Sequence, residues 1–236
     1  MNNDAKVSKQ DTFIEIFPNV YLLKTSIRLS PLLQMNRNMV VVRDGQDLII
    51  INAVRLNDEN LQYLNQLGVV KHVIRLGDFH GLDDQYYLDT FSANFWSQEQ
   101  HQTYPELVPN KIIDTDVMPP IKNSQFFIFK SAKFPESVLL LKEYKLLITT
   151  DSIQYWNHWG HTSFLSKIIL FVMGFRLGFF IGKPWLKRVS SHQNSLKDDF
   201  QKLLALDFTS LVAAHGDVLK DEAKIMLKGV LSQTFE

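Results

Sequence analysis

The chain has 236 residues, 45% of them hydrophobic, enough to build the core of one large domain. Lysine plus arginine equals aspartate plus glutamate at 25 each, so no overall field draws the protein to nucleic acid or an anionic membrane, and any charged partner must be met by a local patch. The absence of cysteine excludes disulfides, a thiolate nucleophile and a Cys-ligated zinc, leaving His, Asp and Glu as the residues able to hold a metal.

Met1 to Thr12 is polar and mixed in charge, without the apolar core of a secretory signal, and a cytoplasmic location is the expectation. Phe13 to Phe17 alternates and Val20 to Lys24 follows a Pro-Asn turn, so both predict strands. Met39 to Arg43 and Leu48 to Ile51 flank Asp44-Gly45-Gln46-Asp47 and predict a hairpin. Asn57-Asp58-Glu59-Asn60 reads as a helix cap before Leu61, Leu64 and Leu67, and Gly68 closes that helix ahead of a buried strand, Val69 to Leu76. A helix over Gln85 to Ala93 follows, then short strands at Lys111 to Asp114 and Gln125 to Phe129. Ser137 to Leu141 and Lys145 to Thr150 predict a second hairpin.

From Trp156 to Arg188 the chain is aromatic and irregular, and an apolar insertion, helical in its middle, is expected at about 156–188. Its longest apolar run, Phe164 to Trp185, is broken by Lys167, Arg176 and Lys183, so it predicts no membrane span. A buried helical insertion is the plainest expectation; a lid, a pocket wall or a membrane-surface contact through 164–188 is the alternative, given Lys183, Lys187 and Arg188 at its end. An amphipathic helix over Ser195 to Leu206, a strand over Ser210 to Ala214 and a helix over Asp221 to Leu231 complete the chain. Strands followed by helices occur roughly twice, which predicts a single α/β domain over 1–236 whose halves pack sheet on sheet as a four-layer αββα sandwich.

Among the seven histidines, His72, His101 and His192 sit in contexts that suggest nothing, whereas His80, His158, His161 and His215 adjoin predicted strand ends. Loops held by a rigid sheet are where sites form. Three segments meet that test: Asp78 to Asp84, with one imidazole and several carboxylates; Asp151, after an apolar strand; and His215, before Gly216 at the end of the last strand. Imidazole and carboxylate together are metal-ligand chemistry. Each segment alone has a plainer reading, since Asp83 or Asp84 equally caps the helix that follows, and a lone strand-end His or Asp commonly bonds a turn. His158 and His161 lie three apart, on one face if helical, and are further candidates beside the plainer reading of partly exposed polar residues among tryptophans.

The order of these segments resembles the metallo-β-lactamase superfamily, whose pattern is a His-x-His-x-Asp-His loop, a His before Thr-Pro-Gly-Ser, a strand-end Asp and a late His-Gly. The resemblance runs from the Met39 to Ile51 hairpin to His215-Gly216 and implies the αββα sandwich, with a site at one edge of the two sheets. It implies that Asp151 is the metal-bridging Asp and His215 the last His. His80 takes the second His position if one residue is inserted before Asp83-Asp84, with Asp78 near the first; taken instead as the first His, it puts Asp84 at the Asp position. Lys133-Phe134-Pro135-Glu136-Ser137 matches the His-Thr-Pro-Gly-Ser segment with Lys133 at the third His, and Asn52 stands where many members have Asp.

A protonated lysine has no lone pair for a metal, so one divalent ion at most is expected. His80, Asp83, Asp84, Asp151 and His215 are its candidate ligands, an oxygen-rich set suited to Mn, Fe or Mg as well as Zn. The other expectation is no metal, with the Lys133 ammonium neutralising the crowded carboxylates. The implied function is a hydrolase acting on a small-molecule substrate through metal-activated water, with Asp151 and Asp83 in catalytic roles. The alternative is a catalytically inactive pseudo-enzyme whose fold is kept for binding a ligand or a protein.

Overall fold

A computed structural model describes residues 9–30, 32–192 and 195–235. The first half builds a sheet from β1 (Ile14–Phe17), β2 (Val20–Ser30), β3 (Leu33–Asp44), β4 (Asp47–Ile51), β5 (Val69–Ile74), β6 (Asn94–Ser97) and β7 (Lys111–Ile112). These seven strands lie side by side in chain order, antiparallel up to β4 and parallel from β4 to β7. Parallel neighbours need crossovers, supplied by α1 (Asp58–Leu67) and α2 (Asp84–Phe91).

The second half contributes β8 (Ser124–Ile128), β9 (Ser137–Leu141), β10 (Leu146–Thr149), β11 (Ile153–Trp156), β12 (Gly178–Ile181) and β13 (Ser210–Ala213). Four of these form a sheet in the order β13-β10-β9-β8, and β11 pairs with β12 as a separate ribbon. Its helices are α3 (Phe164–Val172), α4 (Lys183–Val189), α5 (Lys197–Leu204) and α6 (Ala223–Thr234). The segment 156–188 therefore holds α3, β12 and most of α4.

The layers follow from side-chain alternation. Val40, Val42, Ile49 and Ile51 point to one face of the first sheet and meet Leu139, Leu141, Leu146, Ile148 and Val212 of the second. The intervening Met39, Val41, Leu48 and Ile50 point the other way, against Leu64 of α1 and Tyr87 of α2. In the second sheet Val138, Leu140, Leu147 and Leu211 face Trp185, Phe200, Leu203 and Leu227 of α4, α5 and α6. Strands buried on both faces need unbroken apolar runs, which is how these segments read in sequence. The result is an αββα sandwich.

Along one edge the two sheets are tied by polar groups. The Asn38 side chain donates to Ala213 O at 2.9 Å and Gly216 O at 3.0 Å, and its backbone N–H to Ala214 O at 2.7 Å. Asn52, in a left-handed conformation at φ 57°, reaches Thr149 O at 3.0 Å through its side-chain amide. The exit of β5 joins the start of β9 through Ser137 N–H to Leu76 O at 2.7 Å and Asp78 N–H to Pro135 O at 2.9 Å. This stitched edge carries the site.

Several boundaries depart from the sequence expectation. β2 and β3 run far beyond Val20 to Lys24 and Met39 to Arg43, because Thr25, Ser26, Asn36, Arg37 and Asn38 extend the hairpin as buried polar residues that no apolar alternation announces. β6, β11 and β12 are short strands that the sequence reading left unassigned. Among the described residues no helix is long and apolar enough to cross a membrane.

Candidate metal centre

His80 leaves the tight turn after β5, Asp151 follows β10 and His215 follows β13, so the two sheets each deliver part of one cluster. His80 Nε2 lies 3.1 Å from Asp151 Oδ2, and His215 Nε2 lies 3.4 Å from Asp151 Oδ1. The two imidazole rings are 5.2 Å apart, centroid to centroid. One ligating atom from each residue falls within 4.8 Å of the others, the one such group among the described residues.

The state of His215 follows from its other nitrogen. Nδ1 sits 2.5 Å from the Asn36 carbonyl, which can only accept, so the ring proton belongs on Nδ1 and Nε2 keeps a lone pair. Burial lowers the His215 pKa to about 4, more than the opposing Asp151 charge raises it, so the ring is neutral at neutral pH. Burial works against the Asp151 charge too, but the facing His80 and then His215 outweigh it and bring the carboxyl to about 2. An imidazole lone pair therefore faces an ionised carboxylate across 3.4 Å, two acceptors with no hydrogen between them. That donor set fits a cation, and the carbonyl behind the ring is the partner that orients a ligating histidine.

The other acidic candidates are engaged elsewhere. Asp83 meets Arg37 Nη1 at 2.8 Å, and Asp84 meets Arg75 Nε at 2.7 Å with both side chains fully buried. Asp78 accepts from Gln102 N–H at 2.7 Å and the Thr103 hydroxyl at 2.5 Å, and contacts His101 Nδ1 at 3.2 Å, organising the loop after β6. The structure thus separates Asp78, Asp83 and Asp84 from the cluster, and the counter-charges for the last two are arginines. Lys133 is exposed, its backbone N–H bonded to Val189 O at 2.8 Å, so its ammonium does not take the place of a metal. His158 and His161 occupy a turn and not a helix; His158 pairs with Asp217 at 3.0 Å and His161 with Asp11 at 3.0 Å.

Sequence reasoning passed over Glu136. It directly precedes β9, is fully buried, and accepts a hydrogen bond from the Thr150 hydroxyl beside Asp151. Burial raises its pKa to about 8; the Thr150 bond works against this, and the Asp151 charge adds to it. The signal was a glutamate where the resembling segment has glycine. Arg37 and Arg75 were likewise overlooked, although Arg75 is a charge set within an apolar run.

The cluster opens into a cavity of about 320 Å³. Its walls include Phe79, Tyr104, Phe175 and Trp185, with Arg37 and Arg188 as cations. Arg188 lies 4.4 Å from the Phe79 ring and 5.3 Å from that of Phe134. A larger open groove of about 740 Å³, between β12, α4 and the end of α6, contains none of the clustered ligands.

Solved structures with this architecture settle the fold. The metallo-β-lactamase DIM-1 superposes with a TM-score of 0.69 at 10% identity, over 97% of this chain and 99% of its own. The metallo-β-lactamase of Erythrobacter litoralis gives 0.63 at 12% identity, over 94% and 92%. FIM-1 of Pseudomonas aeruginosa, in its mono-zinc form, gives 0.65 at 10% identity, over 94% and 95%. The chain has the metallo-β-lactamase fold. No protein-family model and no curated protein matches it by sequence. Within the metallo-β-lactamase fold, identities this low transfer the architecture and leave the chemistry to be argued from His80, Asp151 and His215.

Proposed function

We propose that the chain is a metal-dependent hydrolase holding one divalent ion between His80, Asp151 and His215. The observation that carries this is the convergence of a neutral imidazole lone pair and an ionised carboxylate at the floor of a cavity. Three protein ligands leave positions open for water and substrate, the pattern of catalytic rather than structural sites. An ion bound there would supply an activated water and polarise the bond to be cleaved.

The chain's own residues divide the remaining tasks. Asn36 fixes the His215 ring through its carbonyl. Asp151, already negative, orients whatever donor lies before it. Phe79, Tyr104 and Trp185 exclude water from one side of the cavity, and Arg188 brings to its mouth a cation without an acidic partner among the described residues. That lining suits a small molecule with an apolar body and an anionic group. Asp83, held by Arg37, positions that arginine in the cavity wall rather than acting on substrate.

A second reading, a pseudo-enzyme that binds a ligand without turnover, is favoured by the engagement of Asp78, Asp83 and Asp84 in structural pairs, which among the described residues leaves no second set of ligands around the cluster. Metal analysis after incubation with Zn, Mn and Fe separates the two. Wild type is expected to retain about one equivalent, and Asp151→Ala and His215→Ala to retain at least tenfold less, in line with loss of a principal ligand. Wild type without bound metal would overturn the hydrolase reading.

A further inference from the structure

α3 is inverted for a helix at a protein surface. Its buried positions are Ser166 and Leu170. The Ser166 hydroxyl accepts from Gln34 N–H at 2.7 Å and donates to Leu32 O at 3.2 Å, fastening the helix to the tip of the β2–β3 hairpin. The outward positions are Phe164, Leu165, Ile168, Phe171 and Val172, with Phe164 79% and Val172 81% exposed. Their spacing gathers them into one stripe, where a helix facing water ordinarily carries its charges. Leu32, whose carbonyl takes the Ser166 hydroxyl, is itself 60% exposed. A contiguous apolar patch of this kind marks an interaction surface.

The surrounding charge identifies the partner. Between Asp151 and Asp198 the sequence contains no Asp or Glu, yet it carries Lys167, Arg176, Lys183, Lys187, Arg188 and Lys197, in a chain whose total charge is balanced. Lys183 and Lys187 are exposed, and the Arg176 guanidinium lies 3.7 Å from the Phe171 ring at the end of the stripe. An apolar face on a segment whose own charges are all cationic complements an anionic lipid surface, whose acyl boundary accepts the apolar side chains while headgroups meet the cations. With nine residues α3 is about 14 Å long, against a hydrocarbon core of about 30 Å, so it can lie in the interface but not cross it.

We propose that α3 seats the protein on an anionic membrane surface, with its apolar stripe in the acyl boundary and Lys167, Lys183 and Lys187 among the headgroups. Docking in this way brings the mouth of the metal-site cavity to the bilayer, because Met173 and Phe175, directly after α3, line that cavity with His80 and Asp151. The proposal stands independently of any hydrolytic activity.

Co-sedimentation of the full chain with phosphatidylcholine vesicles, with and without about 30% phosphatidylserine, tests it. The expected result is binding to the phosphatidylserine vesicles alone, released by about 0.5 M salt. Phe164→Ser/Val172→Ser and, separately, Lys183→Glu/Lys187→Glu are each expected to lower the partition coefficient at least tenfold. All four side chains are exposed, so circular dichroism spectra and melting of both variants should match wild type. Absence of binding to either vesicle, or equal binding by wild type and both variants, would overturn the proposal. So would a concentration-dependent dimer on size exclusion that Phe164→Ser/Val172→Ser disperses, since a second copy would then be the occupant.

Discussion

Burial raises the pKa of two carboxyl groups near the site, but at Asp84 a guanidinium opposes the rise, and at Glu136 no cation among the described residues does. Asp84 is sealed against Arg75, whose guanidinium lies 4.9 Å from the Phe95 ring and 5.3 Å from that of Tyr104. Asp84→Ala leaves that guanidinium buried and unpaired and should cost about 3–5 kcal/mol in chemical denaturation. A loss below about 1 kcal/mol would show that water replaces the carboxylate. Glu136 has no cationic partner among the described residues, and its pKa is raised from 4.5 to about 8 by burial. Between those pH values the unfolded chain gives up this proton and the folded chain keeps it, so stability present below pH 4.5 is lost as pH rises towards 8. The loss should be on the order of 5 kcal/mol in the metal-free protein, and Glu136→Gln should flatten it. Parallel pH profiles of the two proteins would sink this account.

Elements that local chemistry specifies were legible in the sequence, and those held by long-range polar contacts were not. α1 is the clear case: Asn57-Asp58-Glu59-Asn60 was expected to cap it, and the Asn57 side chain accepts the Asn60 N–H at 2.9 Å. Asn57→Ala should lower stability by about 1 kcal/mol in thermal melts; no change would show that tertiary packing alone holds the helix start. β4, β9, β10 and β13 were equally visible, since strands covered on both faces are apolar along most of their length, while β5 is broken by Lys71 and His72. The far ends of β2 and β3 were not, because Asn36 and Asn38 are buried by their bonds to residues of the other half and Arg37 by its bonds to Ala53 and to Asp83 before α2, and such bonds leave no periodic trace. The site divides along the same line. The strand-end positions of Asp151 and His215 and the turn bearing His80 follow from the strands before them. The orientation of Asp83 and Asp84 towards Arg37 and Arg75 depends on partners in β3 and at the exit of β5, which spacing within one loop does not reveal.

At the scale of the molecule, the inter-sheet layer joins the two halves through apolar packing, and Ile148 within it is fully buried. Ile148→Ala should cost about 2–5 kcal/mol. An ion bound only by the folded chain stabilises it by mass action, by about 2.7 kcal/mol at a concentration a hundredfold above Kd. Chelation should therefore lower the melting temperature of wild type and leave that of Asp151→Ala unchanged; an equal response from both would place the ion elsewhere. The asparagine-stitched edge adds a consequence in time. Asn38 and Asn36 lie far in sequence from Ala213 and Gly216, so the contacts that aim His215 form only after nearly the whole chain has been laid down and both sheets have met. Neither half can assemble the cluster alone, and during refolding the capacity to capture an ion should lag behind the far-ultraviolet signal of the strands, making metal uptake a reporter of the last docking event rather than of the first collapse.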